Sequence, residues 1–276
     1  MIPRPRVLLR PKERLPKGRS VTIALGMISN HGLVLCADTQ HTISGYIKTY
    51  DGKVDLHLYR DPWIAVAIAG AGTDDYIVAA QQFLLRNAPD GKNVFEIEAS
   101  LKAKCLSFFD EHLARWAYYP ERERPTVELL IGVTGKNLYP RLFHYAGTAF
   151  QDVRGAKAIG DGVLLANDLI TGATLGNYTV NQLCSFGIYV VAKVKRGVDG
   201  CGGSTHVVAL RKGFDFAFTD QKEVDKLEQE ISEMEKVKNR ELIDVIVAKP
   251  LAVSWQSEHR KTKAKRLTAQ KSAPEP

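Results

Sequence analysis

Cysteine is scarce in this sequence, and long apolar runs are absent. Among 276 residues there are four cysteines, Cys36, Cys105, Cys184 and Cys201. They form no C-x-x-C pair, and none lies at ligand spacing from a histidine, which rules against a zinc site. They read as reduced thiols in a cytoplasmic protein, where disulfides are rare, and no metal or cofactor is expected. No apolar stretch approaches the roughly 18–20 residues that a bilayer-crossing helix needs, so no membrane partner is expected. The opening segment MIPRPRVLLRPKERLPKGR has only VLL as an apolar patch. A secretory signal needs a longer one, and the prolines oppose an amphipathic transit helix. No basic stripe with interleaved aromatics runs through the body, which argues against a specific nucleic-acid partner.

The net charge of +7 is unevenly placed. Residues 1–19 hold seven Lys/Arg against one Glu, and residues 259–276 hold six against one Glu, so the stretch between carries a net −4. The positive charge therefore belongs to the two ends. Both ends are polar and charged, and segments of that kind bury too little apolar surface to offset their ordering. With 45% hydrophobic and 25% charged residues the rest has ordinary globular composition, enough for a core. The expected organisation is a basic extension or propeptide over 1–19, one folded domain over 20–248, and a basic tail over 249–276.

Apolar periodicity places the elements. VTIALGMIS puts Val21, Ile23, Leu25 and Met27 on one face of a strand. GLVLCAD is a continuous apolar run of strand length, which suits a strand covered on both sides. KVDLHLY and WIAVAIAG add two more strands. The period changes at TDDYIVAAQQFLLRN, where Tyr76, Ile77, Ala80, Phe83 and Leu84 share a helical stripe behind an N-cap at Thr73. A second helix is expected over 94–116. Strands follow in TVELLIGVT, LYPRLFHY and AFQDVRGAKAIG, then helices in DGVLLANDLI and TVNQLCSFGIYVVAKVK. HVVALRKGFDFAF reads as a hairpin around Lys212 and Gly213, and a charged surface helix over 221–238 closes the body. Two antiparallel sheets with helices on both outer faces fit this order.

The succession TIALGMISNHGLVLCADTQ, YIKTYDGKV, AIAGAGTDDY and AKAIGDGV resembles the 20S proteasome and its bacterial relatives over about residues 20–240. The resemblance implies an α+β fold, the four-layer αββα sandwich of the N-terminal nucleophile hydrolase type. It also implies a homo-oligomeric ring, an ATPase partner, and threonine peptidase activity on polypeptide or peptide substrates. Two further readings stay open: a non-catalytic ring subunit of α-type, and a small-molecule amidase of the same fold.

The resemblance places roles residue by residue. Thr22 falls at the nucleophile, Asp38 at the aspartate ending the second strand, Lys53 at the lysine, and Gly70 at the glycine whose N–H forms the oxyanion hole. The chemistry requires such a set. A threonine hydroxyl is a weak nucleophile and needs a base within hydrogen-bond reach. As a first residue, Thr22 would supply its own α-amino group, with an ordinary pKa of about 7.7–8.0. A neighbouring ammonium would lower that value by like-charge repulsion. Two positions depart from the family pattern. Gly160-Asp161-Gly162 stands where a serine usually lies between the glycines, and Val198-Asp199-Gly200-Cys201 places Asp199 one step late and Cys201 at a serine. Asp161 is read as a partner of the α-amino group or as a helix N-cap, Asp199 as a substitute carboxylate, and Cys201 as inert. Val21 precedes Thr22 where the family usually has Gly. Taken alone, Thr22 is also an ordinary β-branched strand residue.

Overall fold

The structure is a computed structural model, and it describes residues 22–43, 47–50, 53–60, 63–91, 93–211, 215–236, 242–248, 251 and 253–256. The extension over 1–19, the turn at Lys212 and Gly213 and most of the tail lie outside the described residues.

The first sheet joins β1 (Ala24–Ser29), β2 (Gly32–Asp38), β10 (Ala156–Ile159), β11 (Thr205–Arg211) and β12 (Asp215–Phe218) in the order β10-β1-β2-β11-β12. The second joins β5 (Val54–Arg60), β6 (Trp63–Gly72), β7 (Val127–Gly135), β8 (Leu138–Ala146) and β9 (Ala149–Asp152) in chain order. All these pairings are antiparallel. A third, two-stranded ribbon of β3 (Gln40–Ile43) and β4 (Ile47–Tyr50) stands apart.

Side-chain alternation explains the near-continuous apolar strands. In β6, Ile64, Val66 and Ile68 pack with helices α1 (Asp74–Leu85) and α2 (Val94–Phe108), while Ala65, Ala67, Ala69 and Ala71 face the other sheet. In β2, Leu33, Leu35 and Ala37 face the other sheet, and Val34 and Cys36 pack against α4 (Val180–Gly197). Both faces of these two strands are buried, so no polar alternation develops in them. Helix α4 is held by a capping box between Thr179 and Gln182. Gly187 lets it close on the sheet, because a Cβ there would lie 2.5 Å from Cys36 Sγ. The helices α3 (Val163–Ile170), α5 (Gln221–Lys236) and α6 (Leu242–Ala248) complete that side. Val224, Leu227 and Ile231 bury the apolar stripe of α5 there, as a surface helix lying on the body would.

The regular four-layer αββα sandwich expected from the sequence is corrected by these observations. The fold is α+β, with two five-stranded antiparallel sheets and helices, plus the separate ribbon. The second expected helix does not run regularly over 94–116. It changes after Phe108 into a π-helical turn, Phe109–Leu113, and then a 3-10 turn, Ala114–Tyr118. AFQDVRGAKAIG is likewise two strands, β9 in one sheet and β10 in the other. Gly155 lies between them with φ +103°, a left-handed conformation that suits glycine. Thr73 starts α1 without a side-chain cap; its Oγ1 accepts instead from the N–H of Thr126, tying the helix start to β7.

Among the described residues no helix is long and apolar enough to cross a membrane.

Candidate active site

Three of the expected residues meet at the ends of their strands. Thr22 precedes β1, Asp38 ends β2, and Lys53 precedes β5. The antiparallel β1–β2 pairing pairs Ala24 with Ala37, which brings Thr22 beside Asp38. The Thr22 hydroxyl donates to Asp38 Oδ1 at 2.6 Å, and the Lys53 ammonium lies 2.9 Å from the same oxygen. Lys53 also donates to the Thr22 hydroxyl and to the Gln40 carbonyl. An ammonium has three N–H bonds, and these three acceptors face it. The set is buried: Thr22 is 1% exposed, Asp38 0% and Lys53 3%.

Backbone groups hold the carboxylate. The Ile23 N–H donates to Asp38 Oδ1 at 3.1 Å and the Gly202 N–H to Oδ2 at 2.9 Å. Gly202 is fixed in turn, because its carbonyl accepts from Gln40 N, and Ser204 exchanges bonds with Thr39. Gln40 also donates from its side chain to the Gly200 carbonyl. The loop after α4 is thereby laced to the chain that follows Asp38.

Sequence reasoning missed two supporting glutamines. Gln40 supplies the third acceptor for Lys53. Gln81, buried in α1, donates to the Lys53 carbonyl at 3.3 Å and to that of Ile68 at 3.4 Å. A buried polar residue on the apolar stripe of TDDYIVAAQQFLLRN is the one signal that could have pointed to Gln81, since such groups need partners.

Gly70 sits in β6 opposite Leu129. The β5–β6 register pairs Val54 with Ala69, and one further step sets Lys53 opposite Gly70. A Cβ at Gly70 would lie 2.4 Å from Ile77 Cγ2, so glycine lets α1 approach the sheet. Asp161 is exposed in the turn before α3 and is not that helix's N-cap, a place taken by Gly162. Asp199 is exposed in the turn after α4. Among the described residues, neither carboxylate is hydrogen-bonded to Thr22, Asp38 or Lys53.

Cys201 is buried, and burial pushes its thiol up to about 12, reinforced by the carboxylates of Asp38 and Asp161 and opposed by Lys53. Burial raises the thiols of Cys36, Cys105 and Cys184 as well. The thiolate is the reactive form. Iodoacetamide at pH 8 is therefore expected to leave all four cysteines of the folded chain unlabelled, and to label them in denaturant, as read by mass. Rapid labelling of Cys201 in the folded chain would contradict the inert reading.

A cleft of 390 Å³ lies next to the cluster across Gly160, and none of Thr22, Asp38 and Lys53 lines it. Gly160 forms its wall beside Thr22: a Cβ on Gly160 would lie 2.4 Å from the Thr22 carbonyl oxygen. Asp161, Lys157, Glu128 and His144 line it further out. Chemically the site offers a buried hydroxyl polarised between a carboxylate and an ammonium, set behind the cleft wall at Gly160.

These features define an α+β fold of two antiparallel sheets with a buried threonine, aspartate and lysine at one end of the strands. Solved structures give the likeness a name. An Anbu (ancestral beta-subunit) protein from Yersinia bercovieri superposes with a TM-score of 0.64 at 14% identity, over 77% of this chain and 94% of that one. Anbu from Hyphomicrobium sp. strain MC1 gives 0.62 at 15%, over 78% and 95%. The helical assembly of the Anbu complex from Pseudomonas aeruginosa gives 0.62 at 12%, over 79% and 97%. No family model matches the chain, and no curated protein does. Identities this low establish the fold alone. The resemblance to the 20S proteasome is corrected by this comparison: the structural neighbours are Anbu proteins, proteasome-like but a family distinct from the 20S proteasome.

Proposed function

We propose that this chain is a proteasome-like subunit that assembles with copies of itself and carries a latent threonine nucleophile. Assembly is supported by the likeness to Anbu proteins, one of which is described as a helical assembly. The chemical part rests on one observation: the Thr22 hydroxyl sits between Asp38 and Lys53. In the chain as it stands, the nitrogen of Thr22 is bonded to Val21. An amide nitrogen is no base, so removal of residues 1–21 is the activating step. The freed amine then takes the hydroxyl proton as Thr22 Oγ1 attacks a peptide carbonyl. That proton passes to the leaving amine, an ester to Thr22 forms, and water hydrolyses it. Lys53 keeps the amine neutral at lower pH by like-charge repulsion. Turnover is therefore expected to rise with pH and level off below about 8.

A purely structural subunit is the second reading. It is favoured by the burial of Thr22 at 1% exposure and by Val21 in place of the usual glycine. The intact mass of purified chain after long incubation separates the two. Loss of residues 1–21, with peptide turnover abolished by Thr22→Ala, supports the nucleophile. A chain that stays full length with added proteases, and turns over no peptide, supports the scaffold.

A further inference from the structure

The cleft beside Thr22 does not end at Glu128. It shares Thr126 and Glu128 with a second cavity of 370 Å³, whose far wall is Phe109, Leu113, Trp116 and Ala117. Local sequence makes this wall. After Phe108, the chain takes one π-helical turn and then a 3-10 turn. Single π turns inside helices gather at functional sites. Here the turn leaves Leu113 buried and brings Phe109 and Leu113 to the same cavity.

The wall is built before any ligand arrives. Trp116 donates from Nε1 to the Tyr76 hydroxyl at 2.8 Å, and its ring lies 4.8 Å from that of Tyr119. Arg124 fastens the same segment from Nε to the Tyr119 carbonyl at 2.8 Å and from Nη2 to the Ala117 carbonyl at 3.0 Å. Preformed pockets with apolar walls and a few polar groups are the usual form of ligand sites.

The neck between the two cavities has the opposite character. Glu128 belongs to both cavities, and His144 and Lys157 line the first on that side. His144 Nε2 is buried and has no hydrogen-bond partner among the described residues; Glu128 Oε2 is 3.8 Å away. A buried polar atom left unpaired costs about 1–3 kcal/mol. A polar group of a ligand in the neck would remove that cost.

We propose that the two cavities form one peptide-binding groove that determines specificity. Backbone amides of the substrate lie in the neck against His144, and a bulky apolar or aromatic side chain beyond them fills the pocket against Trp116. This rests on the proposed nucleophile for which bond is cut, but binding itself needs no turnover.

The test uses full-length chain carrying Thr22→Ala and acetylated pentapeptide amides of glutamine with one phenylalanine walked along the positions. Tryptophan emission is the readout. One phenylalanine position is expected to give a saturable change, and alanine at that position to weaken binding about tenfold or more, the worth of one buried aromatic side chain. Ala117→Arg, at an exposed position of the wall, is expected to bring the phenylalanine peptide down to the level of the alanine peptide. Equal binding of all peptides, or undiminished phenylalanine binding in Ala117→Arg, overturns the groove. The two ideas fail separately. Chain with a free Thr22 that binds the phenylalanine peptide and cuts nothing removes the hydrolase and leaves the groove. Cleavage indifferent to phenylalanine does the reverse.

Discussion

Lys53→Met is expected to destabilise the folded chain by about 3–5 kcal/mol, the usual cost of breaking a buried ion pair from one side. The geometry explains the size. Asp38 is fully buried and its Oδ1 lies 2.9 Å from the ammonium. Methionine matches the stem of lysine but, among the described residues, leaves the carboxylate with the Thr22 hydroxyl and two backbone N–H groups as its compensation. Asp38→Asn is expected to cost a similar amount, because the ammonium then keeps only neutral acceptors at Thr22 and Gln40. The pair Lys53→Met with Asp38→Asn should cost less than the sum, with a coupling of about 1–3 kcal/mol. Urea unfolding of the four chains measures this. A Lys53→Met cost under about 1 kcal/mol, or strict additivity, would mean that the two charges do not depend on each other.

What could be read in advance divides along physical lines. Thr22, Asp38 and Lys53 were singled out by the family resemblance, and they lie where runs of strand period begin or end. The Thr22–Asp38 bond follows from antiparallel pairing, which two strands joined by a short turn nearly dictate, whereas Lys53 reaches both from the start of β5 in the other sheet. Gln81 was hidden because a polar side chain in an apolar stretch signals a need for a partner without saying which, and Gln40 because it accepts from Lys53 through its backbone carbonyl. The contribution of Gly202 is a backbone N–H, which no residue type advertises. Asp161 and Asp199 were singled out by a family pattern, and they lie in exposed turns, where spacing says little about direction. On the scale of elements, the alanines and large residues of β6 are all apolar. A strand was therefore evident, while its division between two buried faces was not. The π turn after Phe108 was invisible for a related reason: Phe108, Phe109 and Leu113 continue an apolar stripe whichever way the helix winds. The crossing from β9 to β10 depended on one glycine, Gly155, within a run that otherwise reads as a single strand.

Gly160→Ala is expected to produce the second large effect, and a sister substitution isolates its cause. Gly160 has φ +93°, where a side chain is strained, and a Cβ there would meet the Thr22 carbonyl oxygen at 2.4 Å and its Cγ2 at 3.0 Å. Gly155 has a similar φ of +103°, but a Cβ there would enter open space, with nothing within 4 Å. Gly155→Ala should therefore cost only the conformational strain, about 1–2 kcal/mol. Gly160→Ala carries that strain and must also displace backbone at Thr22, since the neighbour is a carbonyl and not the tip of a flexible chain. Its cost should exceed that of Gly155→Ala by at least about 1 kcal/mol, within the range for overpacking a tight site. In chain with a free Thr22, a shift of about 1 Å at the nucleophile should lower turnover about a hundredfold, while Gly155→Ala leaves it near the starting level. Equal stabilities for the two substitutions would show that the turn at Gly160 gives way freely. The close packing of Gly160 on Thr22 would then have no part in holding the hydroxyl between Asp38 and Lys53.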